Sequence, residues 1–174
     1  QLYAHLALET VNRSGMWRRR PSPKIVERAA ERALELAEPD APARVRALVA
    51  KVLLDPERSG ELAADAAALA ENLGSDGLRS LALDAQAEVA LVGGRYSEAL
   101  AFGRARLALP AGIDDPGQAY VHYDVLQPAV LLGRFDEGRR LARNFAEAQA
   151  QLTPHHRMHG VSVPPEIAAL ASER

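Results

Sequence analysis

The 174-residue chain has a formal net charge of −2, 48% apolar residues, only 5% aromatic ones and no cysteine. So balanced a charge gives no general pull toward nucleic acid or an anionic membrane. Disulfides and thiolate-held metals are excluded, and no apolar run reaches the ~18 residues of a transmembrane helix.

Alanine takes the place of the missing aromatics, and its small size and high helix propensity favour closely packed helices over sheet. Among 21 basic residues only Lys24 and Lys51 are lysines, which we read as the coding bias of a GC-rich bacterium. The chain shows no signal peptide, and the lack of cysteine fits a cytoplasmic protein.

Helical periodicity starts at once. Residues 2–14 place Ala4, Leu8 and Val11 on one stripe, with a stop at Gly15. A long connection follows, with Trp17-Arg18-Arg19-Arg20 and two prolines in it. The next helix, 24–37, buries Val26, Ala29, Ala33 and Leu36 and turns a charged face to water. Residues 43–54 bury Val45, Leu48, Val49 and Val52, and residues 60–73 carry the stripe Leu62, Ala66, Leu69 and Leu73, capped by Gly74.

Residues 76–92 are apolar on two sides, as in a helix sandwiched between neighbours. The stripe left over is Ser80, Asp84 and Glu88. The helix 95–109 buries Tyr96, Leu100, Gly103 and Leu107; a Pro/Gly-rich loop and a helix over 117–132 come next. Pro128 lies inside that helix and should kink it, freeing the carbonyl of Asp124. The helix 134–152 buries Leu141, Phe145, Ala148 and Leu152 and shows Arg139, Arg140, Arg143 and Glu147 to water. Short helical segments complete the terminal stretch 153–173.

The segment LVGGRYSEALAFGRA returns as LLGRFDEGRRLARNF, with Gly94 and Gly133 in register and 133 − 94 = 39 residues between them. A period of that size marks a helical hairpin repeated along a solenoid. Gly94, Tyr96 and Ala99, and then Gly133, Phe135 and Gly138, resemble the tetratricopeptide repeat. In that repeat the glycine ends the first helix, the aromatic packs between the two helices, and the small residue allows a close crossing. A 39-residue spacing is longer than the usual unit, and Gly138 stands where alanine is typical. Gly60, 34 residues before Gly94, sits in register as an earlier copy, but with Asp65 at the small-residue place.

The resemblance implies an all-α, right-handed α-α superhelix of antiparallel hairpins, about 2–37, 43–73, 76–109 and 117–152, as a single domain. Gly-Met-Trp-Arg-Arg-Arg-Pro followed by ERAAERALELAE is also similar to the C-terminal helical region of large bacterial signalling ATPases. Those proteins are LuxR-type transcriptional regulators or regulators linked to nucleotide cyclases. The chain opens at Gln1 inside a helical pattern, so it is expected to be a piece of such a larger protein. In that setting the repeats bind a protein, a peptide or a small inducer, and do no chemistry.

The first helix of each hairpin lines the concave groove in tetratricopeptide-like stacks. The expected binding wall is therefore Ser80, Asp84 and Glu88 beside Tyr123 and Gln127, with Tyr120 and Asp124 flanking them. An acidic, tyrosine-rich wall suits a basic peptide or an arginine side chain; the competing reading is ordinary wet surface. A different class of function is self-association of the parent protein through exposed apolar ends.

His155, His156 and His159 include an i, i+4 pair, a spacing metals use, yet no carboxylate shares the turn, and exposed imidazoles after Thr153-Pro154 explain them as well. Trp17 and its arginines fit a nucleic-acid contact or a plain connection. The serines show no GxSxG elbow, and Gly93-Gly94 has no strand before it and no lysine after it. The sequence thus points to no enzyme, no metal, no cofactor and no direct nucleic-acid contact.

Overall fold

The computed structural model describes residues 1–12, 21–110 and 125–150, with side chains of the last helix described as far as Asn144. Regular structure among these residues is helical, with no strand, so the chain is all-α. Its contacts divide it into two compact units, 1–93 and 94–174. The boundary passes through the Gly93-Gly94 turn, inside the hairpin expected over 76–109.

Unit one holds α1 (Leu2–Asn12), α2 (Pro23–Leu36), α3 (Pro42–Leu54), α4 (Gly60–Leu73) and α5 (Asp76–Val92). Pro23 and Pro42 open their helices, where the missing N–H removes nothing the helix would use. A 3-10 turn, Pro56–Arg58, joins α3 to α4. Gly74 closes α4 in the left-handed region, at φ 64°, a conformation that costs a side-chain-bearing residue about 1–2 kcal/mol.

The core of unit one is organised around α3, which packs on α1, α2, α4 and α5. It buries Val45, Leu48, Val49 and Val52, as its periodicity predicts, together with Ala43, Ala47 and Ala50. Its neighbours meet it largely through alanines: Ala4 and Ala7, Ala29, Ala30 and Ala33, Ala63, Ala66 and Ala70. On α1 the buried Thr10 hydroxyl donates to the Leu6 carbonyl at 2.6 Å, which settles it inside the packing.

Two expected stripes shift. Leu36 is 58% exposed rather than buried, because α2 ends there and the chain turns extended at Ala37. In α4 the buried face is Ala63, Ala66 and Ala70, with Leu62, Leu69 and Leu73 only half-buried on its flanks. Small side chains take the closest contact and leucines fill the margins.

Unit two, as described, holds α6 (Tyr96–Leu107), α7 over 125–131, and α8 (Phe135–Ala150). Leu100, Val125, Leu126, Ala129, Val130, Leu141 and Ala142 form its core, with Leu107 and Phe135 packed against it. Tyr96 and Leu107 are only partly covered, while Ala99 and Arg106 lie in the buried face of α6. Phe145 and Ala148 lie outside the described side chains.

Pro128 is fully buried inside α7; Asp124, whose carbonyl it was expected to free, lies outside the described residues. The end of α7 is a Schellman turn. Gly133, at φ 73°, donates its N–H to the Val130 carbonyl at 2.9 Å, and Arg134 donates to Ala129 at 2.8 Å. The small residue five positions on, Gly138, sits so close to α7 that a Cβ there would lie 2.9 Å from Val130 Cγ2.

Candidate functional site

The first candidate surface lies on α5. None of residues 75–91 is fully exposed, so the helix is covered on more than one side, as its two apolar stripes predict. Ser80 is only 5% exposed and therefore belongs to the packing, a correction to its expected place on an open wall. It is one of the buried residues of α5, as are Leu78, Ala82 and Ala85, and it does not stand free there.

Asp84 and Glu88, one turn apart, are half-buried. Burial pushes the Glu88 carboxyl above the ordinary carboxylate range, and the charge of Asp84 adds to that. Gln127 on α7, 39 residues after Glu88, is exposed between the buried Leu126 and Pro128. Tyr120, Tyr123 and Asp124 lie outside the described residues, as do His155, His156, His159 and the Trp17 to Arg20 loop.

A second surface, lined from α6 and α8, emerges only with the fold. Arg104 of α6 and Asp136, Glu137, Arg139, Arg140 and Arg143 of α8 line an open depression of about 610 Å³. Asp136 and Glu137 occupy the first turn of α8, where carboxylates offset the exposed N–H groups and the positive end of the helix dipole. From there Glu137 accepts a hydrogen bond from Arg104 Nη2 at 2.5 Å and has Arg134 Nη1 at 3.8 Å. The Arg104 hydrogen bond and the neighbouring Arg104, Arg134 and Arg140 charges hold the Glu137 carboxyl below the usual range. Asp136 accepts from Arg139 in the same way.

In the sequence Arg139, Arg140 and Arg143 are recognisable only as a solvated face. Arg104, 33 residues before Glu137, completes the depression through a pairing that no local pattern announces. Both surfaces offer fixed charge, and neither juxtaposes a nucleophile with a base. Among the described residues there is no group of three or more side chains that could hold a metal ion, and no helix is long and apolar enough to cross a membrane. Compared with protein families, with characterised proteins and with solved structures, the chain returns no match.

Proposed function

We propose that the chain is a tetratricopeptide-like, right-handed stack of antiparallel helical hairpins, serving as a non-catalytic module that holds a protein or peptide partner in a bacterial signalling or transcriptional regulator. One observation carries the reading. Gly94 and Gly133 share the left-handed conformation, at φ 71° and 73°, and each is followed by a helix that opens on an aromatic, Tyr96 or Phe135. Three residues after the aromatic, the small Ala99 and Gly138 are both buried. Equivalent backbone turns at equivalent places in two hairpins support a repeat, and stacked repeats present extended walls for partners.

Gly60 does not join this set. It opens α4, and positive φ among the described residues is confined to Gly74, Gly94 and Gly133. The turn of the 43–73 hairpin is built by the Pro56–Arg58 3-10 turn instead.

On this reading the partner contact on α5 is Glu88 with Asp84, two half-buried carboxylates one turn apart that suit a basic side chain. The test is binding of a fluorescent arginine-rich peptide to the full chain. Glu88→Arg is expected to weaken it at least about tenfold, roughly the loss of one charge-assisted contact, with the helical circular dichroism unchanged. Equal affinity in the variant removes α5 from the binding surface.

Self-association remains as a second reading because Leu2, Tyr3 and Leu6 leave 79%, 44% and 44% of their surface exposed on one end of α1. Light scattering over a concentration series separates the two readings: a monomer favours the partner module, and a dimer that persists on dilution favours assembly.

A further inference from the structure

We infer that the arginine-lined depression on α6 and α8 is a docking site for an acidic peptide segment of a partner protein. It lies on the second helices of their hairpins and includes neither Asp84 nor Glu88, and it holds whether or not α5 binds anything.

Four arginines and two carboxylates line the depression, a local surplus of two positive charges on a chain whose overall balance is −2. Both carboxylates are already engaged, Glu137 by Arg104 and Asp136 by Arg139. These pairs fix two guanidinium groups against the helices. Arg140 and Arg143 are exposed and make no hydrogen bond among the described residues, although the charge of Arg140 also reaches Glu137.

Pairing within α8 accounts for part of this placement, since Arg139 meets Asp136 and the charge of Arg140 reaches Glu137, each at i, i+3; the arginines also oppose one another. Arg139 and Arg143 stand at i, i+4 and Arg140 and Arg143 at i, i+3, where like charges each cost a helix about 0.2–0.5 kcal/mol. These arginines do not sit at the end of α8, where a cation would be favoured by the dipole; its last turn holds no basic residue.

The open chemistry is that of a pair of planar forks, which bind carboxylate or phosphate through two parallel hydrogen bonds. Side chains at i, i+3 on a helix lie ~5–6 Å apart at Cβ. Alternate residues of an extended peptide are spaced by about 6–7 Å, so two glutamates at i, i+2 match Arg140 and Arg143 one to one. A duplex needs a longer run of phosphate contacts than one depression supplies, and the acidic balance of the chain disfavours it.

The test uses the full chain and a fluorescent peptide of alternating glutamate and serine, followed by anisotropy at low and physiological salt. Saturable binding is expected, weaker at the higher salt because the contacts are between charges near water. Arg140→Glu/Arg143→Glu is expected to reduce it at least about tenfold. Arg140→Lys/Arg143→Lys keeps the charge, loses the fork and should fall between the two; it also serves if the reversed pair loses helicity. Arg28→Glu/Arg32→Glu, the same charge change on α2, should leave binding in place, and neither inorganic phosphate nor duplex DNA should displace the peptide before unlabelled peptide does.

Absence of saturable binding overturns the inference. So does equal affinity in the reversed and unchanged proteins, an equal loss in the α2 variant, or preferential displacement by DNA or phosphate. Glu88→Arg leaves this binding in place if the two surfaces are separate, so failure here and failure of the α5 reading are told apart.

Discussion

The two units solve one packing problem with different side chains. Unit one closes around α3 with alanines from four neighbouring helices, and its larger buried groups, four valines with Leu8, Leu48 and Leu78, are outnumbered by them. Among the described residues of unit two the core is mostly leucines and valines, Leu100, Val125, Leu126, Val130 and Leu141, and Gly138 packs tightly beneath Val130. An alanine-rich contact spreads its energy over many small burials, whereas a core made mostly of large groups concentrates it. Damage by truncation should therefore be shallow in unit one and deep in unit two.

The largest expected effect tests that contrast directly. Leu100 is 2% exposed, and Leu100→Ala removes its transfer energy and leaves a cavity, about 2–5 kcal/mol. Val49 on α3 is fully covered, but Val49→Ala removes only two methyl groups at roughly 0.8 kcal/mol each, plus a smaller cavity. Urea denaturation of both variants checks the order. A Val49→Ala loss equal to that of Leu100→Ala would break the contrast.

Gly138 sharpens the same comparison at intermediate size. Alanine is a better helix former than glycine by about 1 kcal/mol. The new Cβ, however, would lie 2.9 Å from Val130 Cγ2, on a stiff β-branched side chain, and overpacking costs about 1–3 kcal/mol. Gly138→Ala is expected to destabilise by about 1 kcal/mol net. In a Val130→Ala background the clash is gone, and the same change should stabilise by up to about 1 kcal/mol. A stabilising Gly138→Ala in the unchanged protein would show that the contact yields freely.

Much of this fold was legible because helix periodicity and glycine stops are local signals. The stripe of α3, the Gly74 cap and the paired turns at Gly94 and Gly133 follow from residues a few positions apart. What the pattern could not fix was depth. Leu62, Leu69 and Leu73 read as a core stripe, yet Ala63, Ala66 and Ala70 reach further in, because only small groups fit where helix axes are nearest. Ser80 shares a stripe with Asp84 and Glu88 by spacing, but what covers a position is decided by other helices. Gly60 failed as a repeat marker for a related reason: sequence spacing aligns glycines, while only the backbone reveals which one is left-handed. The Arg104–Glu137 pairing joins two helices through residues 33 positions apart in the chain, beyond the reach of any local pattern.

The smallest expected effect concerns Glu88, which stands apart from Glu137 in how its charge is compensated. Glu137 is met by Arg104 and held low, whereas Glu88 is raised by burial and by Asp84. A carboxyl raised in the fold contributes its full stability below the unfolded range of about 4.3, where it is neutral in both states, and loses it as pH rises through the folded value. At pH near 7 the charge therefore works against folding, by less than about 1 kcal/mol because water still reaches the group. Glu88→Gln should raise the urea midpoint slightly near pH 7 and leave it unchanged near pH 4. A lower midpoint for Glu88→Gln near pH 7 would mean that a cation faces this carboxylate, and Glu88 would then resemble Glu137 rather than contrast with it.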